Sequence, residues 1–154
     1  MTAAIRVRSV AREDFDEWKI LWDGYNAFYG RAGATALPDA VTRSTWSRFF
    51  DEKEPVHALV AESGGRIVGL AHYLFHRSTN QIANICYLQD LFTIEEARGK
   101  GIGKALIEAV YEKAREARCA RVYWQTHETN AVAQGLYRKV AERSGFIVYR
   151  KDLA

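Results

Sequence analysis

Arg98-Gly99-Lys100-Gly101-Ile102-Gly103-Lys104 lies between an apolar run, residues 87–93, and a long amphipathic pattern. Three alternate glycines leave the backbone amides bare, and bare amides at a helix N-terminus attract an anion, most often a phosphate. Upstream, the apolar run belongs to a predicted strand over residues 82–93. Downstream, Leu106, Ala109/Val110, Ala114 and Ala117 fall on one stripe of a helix over residues 100–118. Residues 121–127 then read as the strand that completes a β-α-β crossover.

Further from the loop the pattern stays readable. Residues 5–10 alternate apolar and polar side chains, as a half-buried strand does. Phe15, Trp18, Trp22, Tyr25 and Phe28 recur at spacings of three and four, one face of a helix over residues 14–29. A loop over 30–38 leads to a shorter helix over 39–51, carrying Val41, Trp46, Phe49 and Phe50. Residues 56–62 and 67–76 read as strands joined by Ser63-Gly64-Gly65-Arg66, because paired glycines tolerate positive φ. A helix over 130–142 and a closing strand over 146–153 complete the chain. The order β-α-α-β-β-β-α-β-α-β predicts one domain over residues 1–154. Its class is mixed α/β (α+β), with an antiparallel meander feeding the crossover.

Composition sets outer bounds. A chain of 154 residues with 48% hydrophobic content, 12% aromatic content and two prolines is a folded globular protein. No apolar run reaches the ~20 residues of a membrane span, and residues 3–12 lack the apolar stretch of a signal peptide. Both point to a cytoplasmic protein with no membrane partner. The charge of +3 is spread along the chain, too mild to imply a nucleic-acid partner. Cys86 and Cys119 lack metal-type spacing and read as free thiols. His57, His72 and His76 would need a further ligand and supporting hydrogen bonds to hold a metal, and none is expected.

The glycine loop has three readings. A P-loop requires Ser or Thr after Gly103-Lys104, where this chain has Ala105. A dinucleotide fingerprint requires Gly-x-Gly-x-x-Gly and an acidic residue ending the next strand; here the spacing is Gly-x-Gly-x-Gly and that strand ends in Gln125-Thr126-His127. The third reading, Arg/Gln-x-x-Gly-x-Gly/Ala opening a helix, fits Arg98, Gly101 and Gly103. On this motif the chain resembles the GCN5-related N-acetyltransferase (GNAT) family. Tyr87-Leu88-Gln89-Asp90-Leu91-Phe92-Thr93 is similar to that family's fourth strand, and Asn130-x-x-Ala133-x-x-x-Tyr137 to its downstream motif. The likeness spans most of the chain. It is nearest in look to the polyamine (spermidine/spermine) and small yeast-type histone/polyamine acetyltransferases.

The resemblance implies a mostly antiparallel mixed sheet with helices on both faces, and acetyl-coenzyme A as cosubstrate. It places Arg98, Gly99, Lys100, Gly101, Ile102, Gly103 and Lys104 around the diphosphate, through backbone N–H groups and the charges of Arg98 and Lys104. Leu91, Phe92 and Thr93 would pair with the pantetheine arm, with the Leu91 N–H as the oxyanion donor. Asn130 and Ala133 would flank the arm, although Asn130 is also a good N-cap. Tyr137 is the candidate general acid, a phenol near ~10 facing a thiol near ~8.5. Cys86 and Cys119 sit poorly for a covalent route, so direct attack by the amine is expected.

The proton acceptor is left open. The polyamine enzymes have a glutamate where this chain has Gln89, which accepts no proton. Asp90 matches the family, but alternation turns it to the other face; Glu128 and His127 are alternatives, as is a water chain. Trp22, Tyr25, Tyr29 and Trp46 are either a cation–π wall or a core stripe. Asp14, Asp16, Glu17 and Asp23 either attract a polycation or form a solvated face. Five residues, 140–144, intervene before Gly145-Phe146, so the last helix is expected to run on. The acceptor is expected to be a small amine, a polyamine or a protein lysine, and a homodimer is expected by analogy. The rival reading is a non-catalytic acyl-CoA sensor on the same fold.

Overall fold

A computed structural model describes residues 3–154. Strand β1 (Ile5–Ser9) leads into helices α1 (Phe15–Phe28) and α2 (Asp39–Arg48). The meander is β2 (Val56–Ser63), β3 (Arg66–His76) and β4 (Ile85–Thr93). Helix α3 (Ile102–Glu116), strand β5 (Val122–Tyr123) and helix α4 (Ala131–Val140) follow. The strands lie in the order β1-β2-β3-β4-β5, antiparallel up to β4 and parallel between β4 and β5. The expected mixed, mostly antiparallel sheet is therefore present.

Period-2 alternation in the strands feeds two cores. Val60, Ile67 and Leu70 pack against Trp18, Leu21, Trp22 and Tyr25 of α1. Leu59, Ala61, Val68 and Ala71 pack with Ile102, Leu106, Ile107, Val110 and Ala114 of α3. The sheet is thus covered on both faces, the arrangement its two apolar sides require. Each fully buried Leu or Ile contributes about 1.5–3 kcal/mol. Where α3 crosses β3 the chain has Gly69; a Cβ there would lie 2.9 Å from Ile102 Cγ2 and 3.0 Å from Leu106 Cδ1.

Of the four acidic residues at the start of and along α1, two anchor the fold, one pairs with a neighbour on the surface and one is exposed. Asp14 is buried against Arg8, with Nη1–Oδ2 at 2.7 Å and Nη2–Oδ1 at 2.9 Å. Glu17 accepts from the Ile67 N–H at 3.0 Å, and Asp23 pairs with Lys19 at 2.7 Å. Asp16 is exposed.

The C-terminal third departs from expectation in three places. The strand expected over 121–127 pairs with β4 only at Val122 and Tyr123. The last helix does not run on: it stops at Val140, whose carbonyl accepts from the Tyr111 hydroxyl at 2.8 Å, and Ala141 is extended. The closing strand expected over 146–153 does not form. Residues 141–154 belong to no helix or strand, and Phe146, Tyr149 and Leu153 are 92%, 91% and 92% exposed. Strand-forming residues set a local preference, but a ladder needs a partner edge, and none of the described strands pairs with this segment.

Candidate active site

The site begins at an irregularity in β4. Register with β3 shifts between His72 and Tyr73, so that Tyr73 faces Leu88, His72 faces Asp90 and Gln89 is the extra residue. The bulge reverses which backbone groups face which neighbour. Cys86 N donates to Arg121 O on the β5 side, whereas Ile94 N donates to Val68 O on the β3 side. Cys86 and Ile94 are an even number of positions apart, so a regular strand would aim both amides the same way. Beyond the bulge, alternation back from Ile94 turns the Leu91 and Thr93 N–H groups away from β3. β5 has already parted from β4 there, because its pairing ends at Tyr123. A gap lined by unpaired amides results.

Just past this gap lies the glycine loop. Gly99 and Gly101 adopt φ of 76° and 84°, left-handed values that cost a side chain about 1–2 kcal/mol. Arg98 Nε donates to Thr93 O at 3.1 Å, tying the loop to the end of β4. The first α-helical bond is Ala105 N to Gly101 O, and among the described residues no backbone N–H from Gly99 to Lys104 has a protein acceptor. The Ile102 side chain is core, so only its amide serves the loop. Lys104 is exposed and lies 3.4 Å from Glu108. A row of free amides at the head of a 15-residue helix fits a diphosphate.

At the other end of the gap a narrow cleft is lined by Tyr25, Tyr29, Leu88, Gln89, Leu91, Trp124, Gln125 and Tyr137. Tyr137 packs edge-on against Trp124, with ring centroids 5.4 Å apart. Burial, with a smaller contribution from Tyr29, pushes its hydroxyl above the ordinary phenol range, so it stays protonated at neutral pH. Asn130 caps α4 by accepting from Ala133 N at 3.3 Å, which uses the Ala133 amide as well.

Beneath the cleft runs a buried polar chain. Trp18 Nε1 donates to His72 Nε2 at 3.0 Å, and His72 Nδ1 lies 2.9 Å from Asp90 Oδ2. An indole N–H only donates, so Nε2 accepts and Nδ1 carries the ring proton toward Asp90. The bulge makes this possible: it exposes Gln89 and turns Asp90 inward. Asp90 in turn faces Tyr25. Burial first, and then the charge of Asp90, push the Tyr25 hydroxyl upward.

Other expected residues lie elsewhere. Glu128 is exposed and outside the cleft lining, and His127 bonds to Thr129 Oγ1 at 2.7 Å. Trp22 and Trp46 belong to the aromatic core with Trp18 and Phe49, leaving Tyr25 and Tyr29 at the cleft. The histidines do not converge: His76 bonds to the Tyr123 hydroxyl at 2.9 Å and His57 stacks on Tyr73. Burial pushes the Cys86 thiol up to about 12, unfit for a nucleophile. Sequence reading did not single out Trp124, Gln125, Asn26 or Arg31. The first two carried a signal, being the continuation of a strand beyond its pairing; Asn26 and Arg31 carried none.

Free amides at a helix head, a strand splayed at a bulge and a tyrosine above the gap define an acyl-CoA-dependent transferase. The chain belongs to the acetyltransferase (GNAT) family, whose model matches residues 18–141, and it is an acetyl-coenzyme A-dependent N-acetyltransferase. It is 35% identical over 150 residues to a D-amino-acid N-acetyltransferase of Saccharomyces cerevisiae, covering 96% of this chain and 91% of that one. A thialysine N-epsilon-acetyltransferase of Bos taurus is 35% identical over 97 residues, covering 58% of this chain and 56% of its own. A crystal structure of a probable acetyltransferase superposes with a TM-score of 0.83 at 23% identity, covering 97% of this chain and 98% of that one. None of these relatives' names mentions a polyamine.

Proposed function

We propose that this enzyme acetylates the amine of a small amino acid by direct attack, with Tyr137 as general acid, and that it works as a homodimer. The observation that carries the reading is the cleft in which Tyr137 and Leu91 meet at the β4–β5 gap, with free loop amides following the end of β4. The relatives named for D-amino acids and thialysine support the acceptor class.

Acetyl-coenzyme A supplies the acetyl group as a thioester. The amides of residues 99–104 and the Arg98 side chain hold its diphosphate. The Leu91 N–H stabilises negative charge that develops on the acyl oxygen. Tyr137 Oη hands its proton to the departing sulfur and is reprotonated, through solvent, by the second proton that the nitrogen sheds as the amide forms. The incoming amine is protonated in water and must lose a proton before it attacks. We assign that proton to Tyr25 Oη, as the hydroxyl's own proton passes to Asp90. His72, fixed by Trp18, steadies the Asp90 carboxylate. Glu128 takes no part in this scheme because it lies outside the cleft lining.

The dimer reading rests on the tail. Phe146, Ile147, Val148 and Tyr149 are four consecutive large apolar side chains, the pattern of a strand covered on both faces, yet they are 68–92% exposed. Residues 124–127 leave an edge without ladder pairing beside the cleft. A second copy of the chain supplies both the cover and the partner edge.

Release of free thiol on mixing the protein with acetyl-coenzyme A and a panel of amino acids, polyamines and histone peptides tests the acceptor. Turnover is expected with amino acids first. Turnover with polyamines or peptides alone refutes the acceptor class. Undiminished turnover in Tyr137→Phe refutes the acid.

A further inference from the structure

Arg31 holds a guanidinium at the rim of the acceptor cleft, where no carboxylate answers it. Its Nε donates to Asn26 Oδ1 at 2.7 Å, and its backbone N–H donates to Asn26 O at 2.8 Å. Asn26 is 3% exposed, and its Nδ2 donates to Trp22 O at 2.9 Å. That bond turns the amide nitrogen toward the helix and its oxygen toward Arg31. The guanidinium carbon sits 6.0 Å from the Tyr25 ring centre and 5.6 Å from that of Tyr29, the two rings that share the cleft lining with Tyr137. Among the described residues, no Asp or Glu lies within ion-pair distance of it.

An arginine whose Nε is engaged keeps two terminal NH2 groups, a pair matched to the two oxygens of a carboxylate. The Asn26 bond and the two tyrosine rings beside the guanidinium restrict the side chain in advance, which lowers the entropic cost of binding. We propose that Arg31, held by Asn26, receives the carboxylate of an α-amino acid acceptor. The amine of that acceptor then lies toward Tyr25 and Asp90. A polyamine, having no anionic group, meets a like charge at this rim instead. The inference rests on the amino-acid reading above and adds to it the side chain that selects the class.

The test compares kcat/KM for a panel of amino acids with that for their carboxamides, which keep the shape and lose the charge. In the wild-type protein the acid is preferred. The acid-to-amide ratio is expected to fall by about tenfold or more in Arg31→Gln, the scale of a charge-assisted hydrogen-bond pair. Arg31→Lys is expected to fall in between, because a single ammonium does not fork. Asn26→Asp is expected to lower the ratio too, since the new carboxylate occupies the guanidinium. Acetyl-coenzyme A affinity, measured by calorimetry, serves as the folding control for each variant. A ratio that stays the same in Arg31→Gln and Asn26→Asp overturns the Arg31 assignment alone. A wild-type protein that acetylates spermidine but no amino acid overturns it together with the acceptor reading.

Discussion

The two ends of the site are built on different principles. The donor end is backbone: glycines at residues 99 and 101 in left-handed conformation, free amides at the head of α3, and amides bared on β4 by a bulge. The acceptor end is side chain: Tyr25 from α1 and Tyr29 just past it, Asp90 from β4, Trp124 past β5 and Tyr137 from α4. Backbone chemistry is the same for any residue that tolerates the geometry, so the donor end recognises one fixed group. Side chains vary freely on a constant frame, so the acceptor end is where one such enzyme becomes different from another.

The comparison breaks most visibly at Tyr137. Tyr137→Phe is expected to lower kcat by about 10²–10⁴-fold, the usual range for a lost acid, while acetyl-coenzyme A affinity is retained. Pre-steady-state thiol release alongside calorimetry separates the two. If both fall together, the tyrosine serves donor binding and the division between the ends is wrong.

Removing residues 145–154 probes whether the acceptor end is complete in one chain. The truncated protein is expected to run as a monomer by light scattering, and wild type as a dimer. Acetyl-coenzyme A binding is expected to persist, since the donor end lies wholly within residues 18–141. A wild-type monomer refutes the exchange of cover between copies.

Gly101→Val sharpens the donor side. A β-branched residue at φ 84° costs about 1–2 kcal/mol, so the loop turns its amides away and the acetyl-coenzyme A Kd is expected to rise by roughly tenfold. An unchanged Kd means the amides do not hold the diphosphate.

The smallest effect is on the frame itself, at the β1 edge of the sheet. Hydrogen bonding from Arg8, against the opposing cost of burial, holds the Asp14 carboxyl below its ordinary value. A group lowered on folding stabilises the protein above its unfolded value, near 3.9, and that contribution drains away as pH falls through the folded value. Wild type is therefore expected to exceed Asp14→Asn by about 1 kcal/mol at pH 7, with the lead vanishing toward pH 2 in urea titrations. A lead that grows on acidification contradicts the ion pair.

Most of the frame was legible because it is local. The aromatic stripe of α1, the paired glycines at the β2–β3 turn and the loop before α3 each encode their geometry within a few residues. Asp90 was misjudged by simple alternation because a bulge inserts a residue, and nothing local announces one. Arg31 and Asn26 lie close to Tyr25 in sequence, yet only the structure shows that their side chains bond and that the neighbouring tyrosines line a cleft. The closing strand failed for a related reason: β preference is real in Phe146-Ile147-Val148-Tyr149, but pairing needs an edge that local sequence does not specify.

The sequence by itself determined the element order up to α4, the two-faced sheet and the glycine loop before α3, because periodicity and glycine conformation act over one or two turns of chain. Only the tertiary structure decided which amides face the gap, that Asp90 turns toward Tyr25, and that the last ten residues join no strand among the described residues. Each of those depends on register and on contacts between segments distant in sequence, and a strand shifted by one residue presents its other face.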